Sequence, residues 1–454
     1  MNLFSFFLII ILIFLYKKYN LKEFFIRTFA LMIVCYIFFN SAIFYSFSFK
    51  TIMCYEFLEY VVLFLSIIFL YQNGIRKKQL VIFLLWYVFI IINILLIKVF
   101  PSNIASVTYP NTWSSFLLDH IAYYPMLTKQ VLLYAFYFTI IPIIVFGIKN
   151  TFNDKEIYYI GEKIFYYSAI SLAISCIQYV FVFLNLLDLF YYLRDLIFGS
   201  YIYSANIIIR NNIFSFYGFC SEPSAMAFAI FCFQFLLLIY CKSNKTRIIL
   251  FCLTSLLGFF TGSLSYLIYI LALITIIIFN NFNIIINFSK KHLRLLSVLI
   301  FIILLVFYIA YQKEYFMYYI DRIIRSIRVV LGDEIGYSSE TERLLSIKYT
   351  FNAFLSRSFF GVGIGTVYCF SAFFSLLAEI GIIGIIIFNS IIIYFFDNFK
   401  NKRHLAYYII IFIIYITLGS LSAFIYPEFY LIMLMVYNYF FTNAQFNDKV
   451  CQNE

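Results

Sequence analysis

The sequence predicts an all-α, polytopic integral membrane protein with about 12 to 13 transmembrane helices and two long external loops that bear short amphipathic helices. About a dozen apolar stretches of roughly 15 to 22 residues follow one another, and each is long enough to cross a bilayer. The chain of 454 residues is 65% hydrophobic and 12% charged, with a mean hydropathy of +0.96. A soluble domain carries about a quarter charged residues, so that class is excluded.

The apolar runs place the spanning helices within a single polytopic membrane domain over 1–454. Two long polar interruptions, 186–222 and 313–370, are the candidate functional loops. The predicted helices lie near 2–16, 28–48, 55–71, 80–99, 130–148, 164–184, 223–241, 247–260, 263–281, 295–312, 371–396, 405–424 and 427–442.

Basic residues give the orientation. The links after the odd-numbered helices, up to the eleventh, carry lysine and arginine clusters, beginning with Lys17, Lys18 and Lys22 and ending with Lys400, Lys402 and Arg403. By the positive-inside rule these links are cytoplasmic, so both long loops and the N-terminus are external and the C-terminus is cytoplasmic. The first apolar run has its basic residues after it, the reverse of a cleavable signal peptide, and is expected to stay as an anchor.

This topology gives a direct prediction. A reporter that is active on only one side of the membrane should read as cytoplasmic when fused after Lys78 or Lys291 and as external when fused near Gly336. The reverse pattern would place both long loops in the cytoplasm and would remove the basis for an external site.

Other classes of function are disfavoured by the placement of charge and cysteine. The net charge of +11 comes from lysines beside apolar segments, which is typical of membrane anchoring and not of nucleic-acid binding. The nine cysteines are scattered and show no CxxC or Cys/His spacing. We therefore expect no nucleic-acid partner, no metal site and no cofactor.

The external loops are rich in arginine, whereas the cytoplasmic links are rich in lysine. Charge alone sets orientation, but the planar guanidinium also binds phosphate oxygens in pairs. The pattern indicates an anionic, phosphate-bearing substrate; the alternative is that these arginines pair with lipid headgroups and nearby carboxylates. The seven loop arginines are Arg194, Arg210, Arg322, Arg325, Arg328, Arg343 and Arg357.

In the first loop, residues 183–198 have the periodicity of a helix that lies on the bilayer surface, more a scaffold than a site. Arg194 falls within its apolar stripe and is expected to snorkel to the headgroups. The loop ends at Ser221 and Pro223, which suit a helix start. Glu222 between them is either a favourable charge at the helix end or a carboxylate that accepts a proton from a sugar hydroxyl.

In the second loop, Arg322, Arg325 and Arg328 are three residues apart and can share one helix face. Residues 339–342 read as a capping box that opens another helix, whose Arg343 opposes the helix dipole. Since local stability does not explain Arg343, it is the first candidate for a ligand contact. Four apolar side chains of this helix are expected to pack inward: Leu344, Leu345, Ile347 and Phe351. The following GVGIG, 361–365, lacks the strand of a nucleotide fingerprint and reads more readily as a turn re-entering the bilayer.

The order of these features resembles the superfamily of O-antigen polymerases (Wzy) and O-antigen ligases. The segments that carry the resemblance are R210NNIFSFYGFCSEPSA225, GFFTGSLSYL over 258–267, E342RLLSIKYTFNAFLSRSFFGVGIG365 and S375LLAEIGIIGIIIF388. They cover roughly 205–390, and the match of each single segment to the family is loose. Their order on an external topology is more specific.

The resemblance implies an inverting, metal-independent glycosyltransferase of the bacterial cytoplasmic membrane. Its substrate would be an oligosaccharide on undecaprenyl diphosphate, and its partners would be membrane lipids, a chain-length regulator and a flippase. By this hypothesis Arg210 and Arg343 neutralise the diphosphate and Glu222 is the base. The substrate-binding candidates are Arg322, Arg325, Arg328, Tyr217 and Arg357.

Two alternatives remain. Ligases of this superfamily generally carry a His-Asn pair between the glycine turn and the Glu-Ile-Gly helix, and the interval 366–379 has no histidine, which favours the polymerase. A flippase or other transporter would show charged residues inside spans, broken helices or a repeat between halves. Glu379 is the main charged residue within a predicted span, and Glu56 and Glu59 lie near the outer end of theirs.

Overall fold

The computed structural model describes residues 2–39, 41–44, 52–100, 127–199, 209–210, 213–220, 223–280, 320–321, 323–325, 327–328, 339–367, 369, 371–396 and 427–451. The described chain is predominantly helical. Its helices are α1 Leu3–Lys18, α2 Leu21–Phe38, α3 Cys54–Asn73, α4 Lys77–Val99, α5 Lys129–Thr151, α6 Asp154–Ser175, α7 Ile177–Phe183, α8 Leu187–Phe198, α9 Pro223–Tyr240, α10 Asn244–Phe260, α11 Leu264–Asn280, α12 Ser339–Ser356, α13 Ala372–Phe396 and α14 Pro427–Cys451.

Two short antiparallel strand pairs complete the described structure. Strand β1, Ala42–Phe44, pairs with β2, Ile52–Met53. Strand β3, Ile209–Arg210, pairs with β4, Ile213–Phe214, in the first long loop. Both pairs are hairpins beside helices, so the fold class remains all-α.

Six helical segments in the described part of the chain are long and apolar enough to cross a membrane. The prediction of an all-α, polytopic membrane protein is therefore confirmed. The predicted helices at 295–312 and 405–424 lie outside the described residues. The six segments are Cys54–Asn73, Lys77–Val99, Val131–Thr151, Asp154–Phe183, Pro223–Tyr240 and Ala372–Phe396.

The second predicted helix was misplaced: α2 begins about seven residues earlier than the hydropathy suggests. Asn20 caps its start, accepting from the Glu23 backbone N–H at 2.9 Å. Glu23 then pairs with Arg27 one turn later at 2.7 Å. Because the charges offset each other on one helix face, a polar first turn is tolerated. The helix ends at Phe38, where Phe39 takes up extended backbone.

Contacts between Cα atoms divide the chain into two compact units, each made of two segments. In the first unit, 1–59 with 158–324, α9 packs against α2, α10 and α11. A buried amide on α9, Gln234, donates to Ser255 at 3.0 Å and to Tyr266 at 3.1 Å. Such side-chain bonds join helices where lipid supplies no hydrophobic drive for their association.

In the second unit, 60–157 with 325–454, α13 packs against α4, α5 and α12. Trp86 is fully buried, and its indole donates to the Phe138 carbonyl at 2.9 Å. Its ring also contacts Phe388 of α13. This aromatic core fixes α4, α5 and α13 relative to one another below the second long loop.

Candidate functional site

The first long loop is held by α8, whose buried face carries Phe190, Arg194 and Phe198. The expectation that Arg194 snorkels to the headgroups is wrong, because its side chain is only 1% exposed. The guanidinium donates to Asp195 from Nε at 3.1 Å and from Nη2 at 3.0 Å. A buried arginine needs such a partner, since an unpaired charge in this position would be strongly destabilising.

The same guanidinium reaches the turn that precedes α9. Its Nη1 donates to the Tyr217 hydroxyl at 3.3 Å, and the Gln178 side-chain oxygen accepts from the backbone N–H groups of Tyr217 and Gly218 at 3.1 and 2.7 Å. Burial raises the pKa of Tyr217, so this phenol stays neutral. Tyr217 thus lies in a buried hydrogen-bond cluster, and its predicted contact with substrate stays a prediction.

In the second long loop, α12 begins at Ser339, within a residue of the predicted helix start. The predicted packing face of this helix is wrong where its side chains are described. Phe351 is 41% exposed and Ile347 is half-buried, whereas the buried side chains are Ser346, Thr350 and Ala353. The hydroxyl face turns inward because Cys369 offers it hydrogen-bond partners. Arg343 lies in the first turns of α12.

The glycine turn after α12 lies against the middle of α13. Gly361 adopts φ +75°, and a Cβ there would come within 2.3 Å of the Glu379 carbonyl oxygen. The Val362 and Gly363 N–H groups donate to the carbonyls of Ala378 and Glu379, at 2.8 and 3.2 Å. Backbone groups at membrane depth need such internal partners, and the interpretation of a re-entrant turn stays a prediction.

Helix α13 is broken where the turn meets it. Gly381 has φ +62° and ψ −171°, which is not helical. The N–H groups of Ile382 and Ile383 donate to the carbonyls of Ser358 and Phe359, at 2.9 and 3.1 Å. The turn therefore supplies the backbone partners that the broken helix lacks.

Asn93 of α4 locks the turn in place. Its Nδ2 donates to the Phe360 carbonyl at 2.8 Å and to the Glu379 carbonyl at 3.1 Å. Its Oδ1 accepts from the Ile364 N–H at 2.9 Å. Asn93 lies six residues before the end of α4, about 9 Å along the helix axis.

Replacing Asn93 with alanine should destabilise the protein by about 2–4 kcal/mol, because three hydrogen bonds to the backbone are lost, two of them buried. The measurement is the thermal unfolding of the purified, detergent-solubilised chain. The matched control is Asn73→Ala at the exposed end of α3, where one hydrogen bond from the side-chain amide to the Thr151 hydroxyl at 3.2 Å is lost. This variant should change the stability by no more than about 0.5 kcal/mol. Equal shifts in the two variants would contradict the role of Asn93 as a lock.

Glu379 is the buried carboxylate at this break, 3% exposed. It accepts hydrogen bonds from the backbone of Gly365 and Val367 and from Ser375 Oγ at 3.4 Å. With these contacts, each N–H group from Gly361 to Val367 has a partner inside the second unit. Residues 361–367 have no backbone donor left for a phosphate, so an anion that binds to this turn must be bound by side chains.

Arg357 lies where α12 ends. Its Nη2 donates to the carbonyl of Phe100, the residue that caps the C-terminus of α4. A cation at a helix C-terminus is stabilising, so this contact gives Arg357 a local structural role. Burial lowers the pKa of Arg357, yet a guanidinium remains charged. Its remaining N–H groups are compatible with the predicted contact to substrate.

The other predicted site residues fall in different parts of the chain. Glu222 and Arg322 lie outside the described residues, and Arg210 is on strand β3. Arg325 is half-buried and Arg328 is exposed, both in helical backbone. Arg210 belongs to the first unit and Arg343 to the second, so the proposed pairing of these two arginines on one diphosphate stays a prediction.

Sequence reasoning missed three functional-site features: the Arg194 cluster, the Asn93 lock and the break at Gly381. A lone asparagine within an apolar span and the glycine in EIG, 379–381, are signals from which the second and third could have been found. In the part of the chain that the structure describes, no group of three or more His, Cys, Asp or Glu side chains is placed to hold a metal ion. No protein-family model, curated protein or solved structure matches this chain.

Proposed function

We propose that the protein is a polymerase that joins undecaprenyl-diphosphate-linked oligosaccharide repeat units into a surface polysaccharide. It would act at the outer face of the bacterial cytoplasmic membrane, with its N-terminus outside and its C-terminus in the cytoplasm. The observation that carries the proposal is the second long loop, which folds into a helix bearing Arg343 and a turn whose backbone donors are all used. Side chains are thus the donors that the turn leaves for a diphosphate, and arginine binds phosphate oxygens in pairs.

The proposed reaction is an inverting displacement. A hydroxyl of the acceptor glycan attacks the anomeric carbon of the donor, the bond from that carbon to the diphosphate oxygen breaks, and the lipid diphosphate leaves with the bonding electrons. Arg210 and Arg343 neutralise the charge that develops on the diphosphate. Glu222 takes the proton from the attacking hydroxyl.

Further arginines would bring the anionic donor to this place. Arg328 is exposed and Arg325 half-buried. Together with Arg322, which lies outside the described residues, they recur in the sequence at helical spacing, so we expect one basic face. Such a face attracts a diphosphate headgroup over about a Debye length, roughly 8–10 Å at physiological ionic strength. Arg357, at the end of α12, is the nearest arginine in sequence to the re-entrant turn.

The experiment is deletion of the gene in its native bacterium, followed by separation of the surface glycan by size. Loss of the long-chain ladder, with a single repeat unit still attached to its carrier, is the result expected of a polymerase. The wild-type gene should restore the ladder, and Arg343→Ala should not. Long lipid-linked polymer that fails to reach its final carrier would instead identify a ligase and overturn the proposal.

A second candidate, a lipid-linked oligosaccharide flippase, has one specific observation in its favour. Helix α13 is broken at Gly381 and carries the buried carboxylate of Glu379 two residues before the break. Discontinuous helices with an ionisable residue near the break are typical of transporter sites. Accumulation of repeat units on the cytoplasmic side of the membrane in the deletion strain would favour this function over polymerisation.

A further inference from the structure

A line of buried polar side chains runs through the second unit from α12 to the break in α13. On α12 the line consists of Ser346 and Thr350, one helical turn apart and at most 3% exposed. Both hydrogen-bond the thiol of Cys369, which is fully buried. The line therefore begins on the inward face of the external helix.

The line continues along one face of α13. Ser371, Ser375 and Glu379 are spaced by four residues each, so they project from successive turns of the same face. Cys369 joins the two parts, since its sulfur accepts from the Ser371 backbone N–H at 3.4 Å. At the other end, Ser375 Oγ donates to the Glu379 carboxylate at 3.4 Å. Glu379 lies seven residues into α13, about 10 Å along its axis.

One hydroxyl in this line has no partner among the described residues. The hydroxyl of Ser371 has no hydrogen bond in the part of the chain that the structure describes, and the residue is only 3% exposed. Buried hydroxyls are nearly always hydrogen-bonded, and those that lack a protein partner are positions where ordered water binds.

We propose that these residues form a hydrated proton path from the outer end of α12 and α13 to Glu379, and that Glu379 is a proton-binding site. The ligand is a proton relayed through hydroxyl groups and water. This proposal does not depend on polymerase activity, because the same path and site would be present in a protein with another function.

The surroundings of Glu379 are consistent with a single titrating site. Asn93 faces it from α4 and is not titratable. From the turn it receives backbone N–H groups alone, those of Gly365 and Val367. The thiol of Cys369 is the titratable group in the line itself, and burial raises the pKa of that thiol, with a smaller contribution from the charge of Glu379. On α5, Tyr134 packs against Gly365 on the other side of the turn.

Proton binding would act on the re-entrant turn. An ionised carboxylate accepts hydrogen bonds from the N–H groups of Gly365 and Val367 and from the hydroxyl of Ser375. A protonated carboxyl group is a weaker acceptor and adds an O–H donor that the turn does not satisfy. Protonation of Glu379 therefore loosens residues 363–367, so the conformation of this turn depends on the pH outside the membrane.

The test is infrared difference spectroscopy of the full-length protein in lipid nanodiscs, after a jump from mildly alkaline to mildly acidic pH. Wild type should develop the C=O stretching band of a protonated, buried carboxyl group, and Glu379→Gln should lose that band completely. A band of unchanged amplitude in Glu379→Gln would overturn the site. If Glu379→Gln does not fold, Glu379→Asp should shift the frequency of the band. An unshifted band in that variant would also overturn the site.

The path is tested separately from the site. The double variant Thr350→Val and Ser371→Ala removes two hydroxyls with little change in volume, and should slow the appearance of the band in a stopped-flow pH jump. The matched control is Ser390→Ala, on the same helix but outside the line, where the hydroxyl bonds the Ile386 carbonyl of its own helix at 2.9 Å. Equal rates in the double variant, the control and wild type would overturn the path.

Discussion

Arg343→Lys is expected to reduce glycan polymerisation by about 100-fold or more, although the charge is conserved. Removal of one positioned donor from the charge developing in a transition state costs about 10²–10³ in rate. Lysine keeps the positive charge but loses the planar pair of N–H groups that matches two phosphate oxygens. The measurement is conversion of purified lipid-linked repeat units to polymer by the protein in proteoliposomes.

The same helix supplies a matched control for this variant. Lys348 is exposed on α12, five residues after Arg343, and Lys348→Ala removes a cation from the same helix. This control should retain activity within about twofold, since an exposed charge contributes little. Comparable losses in both variants would show that general attraction of the substrate to a basic surface matters. They would contradict a paired contact of the Arg343 guanidinium with the phosphate oxygens.

Gly381→Ala is expected to destabilise the protein by about 4 kcal/mol or more, beyond the usual range for a point substitution. A Cβ at this position would lie 2.5 Å from the Gly361 nitrogen and 2.5 Å from the Phe359 carbonyl oxygen. Both atoms belong to the backbone, so neither can move without displacing the turn. The variant should unfold at a lower temperature in detergent, and it should also lose protection of residues 358–364 from hydrogen exchange.

Gly74→Ala isolates the backbone contribution to this effect. Gly74 also has a positive φ, +75°, but a Cβ there would meet nothing within 4 Å. Its substitution should therefore cost about 1–2 kcal/mol, the strain of a left-handed conformation alone. A Gly381→Ala effect no larger than that of Gly74→Ala would mean that the turn does not press against the broken helix.

The helices were largely predictable because the bilayer imposes a length and a composition on each span. Helix α9 begins at Pro223 and α10 ends at Phe260, as the hydropathy and the turn residues indicate. Errors arose where polar residues are compensated locally. The charged start of α2 is offset by its own ion pair, and a pattern based on average hydropathy does not register that pairing.

The candidate site was less predictable, because its contacts join distant parts of the chain. Asn93 and the Ile364 N–H are 271 positions apart, and no local pattern shows which buried amide meets which turn. The prediction of the inward face of α12 was wrong for a related reason. Apolar periodicity favoured Phe351, but the surface that α12 covers carries the Cys369 thiol, which selects hydroxyl groups.

The lock between Asn93 and the glycine turn also sets an order of events during biogenesis. Helix α4 is synthesised long before residues 357–367, and the turn needs carbonyls of α13 that are made later still. Until Ala378 and Glu379 have been translated, the N–H groups of the turn depend on water for their hydrogen bonds, so the segment must stay outside the hydrocarbon region. Packing of the turn is therefore a late step that follows synthesis of its flanking helices, and a chain truncated before residue 378 would leave 361–367 without these partners and open to proteolysis.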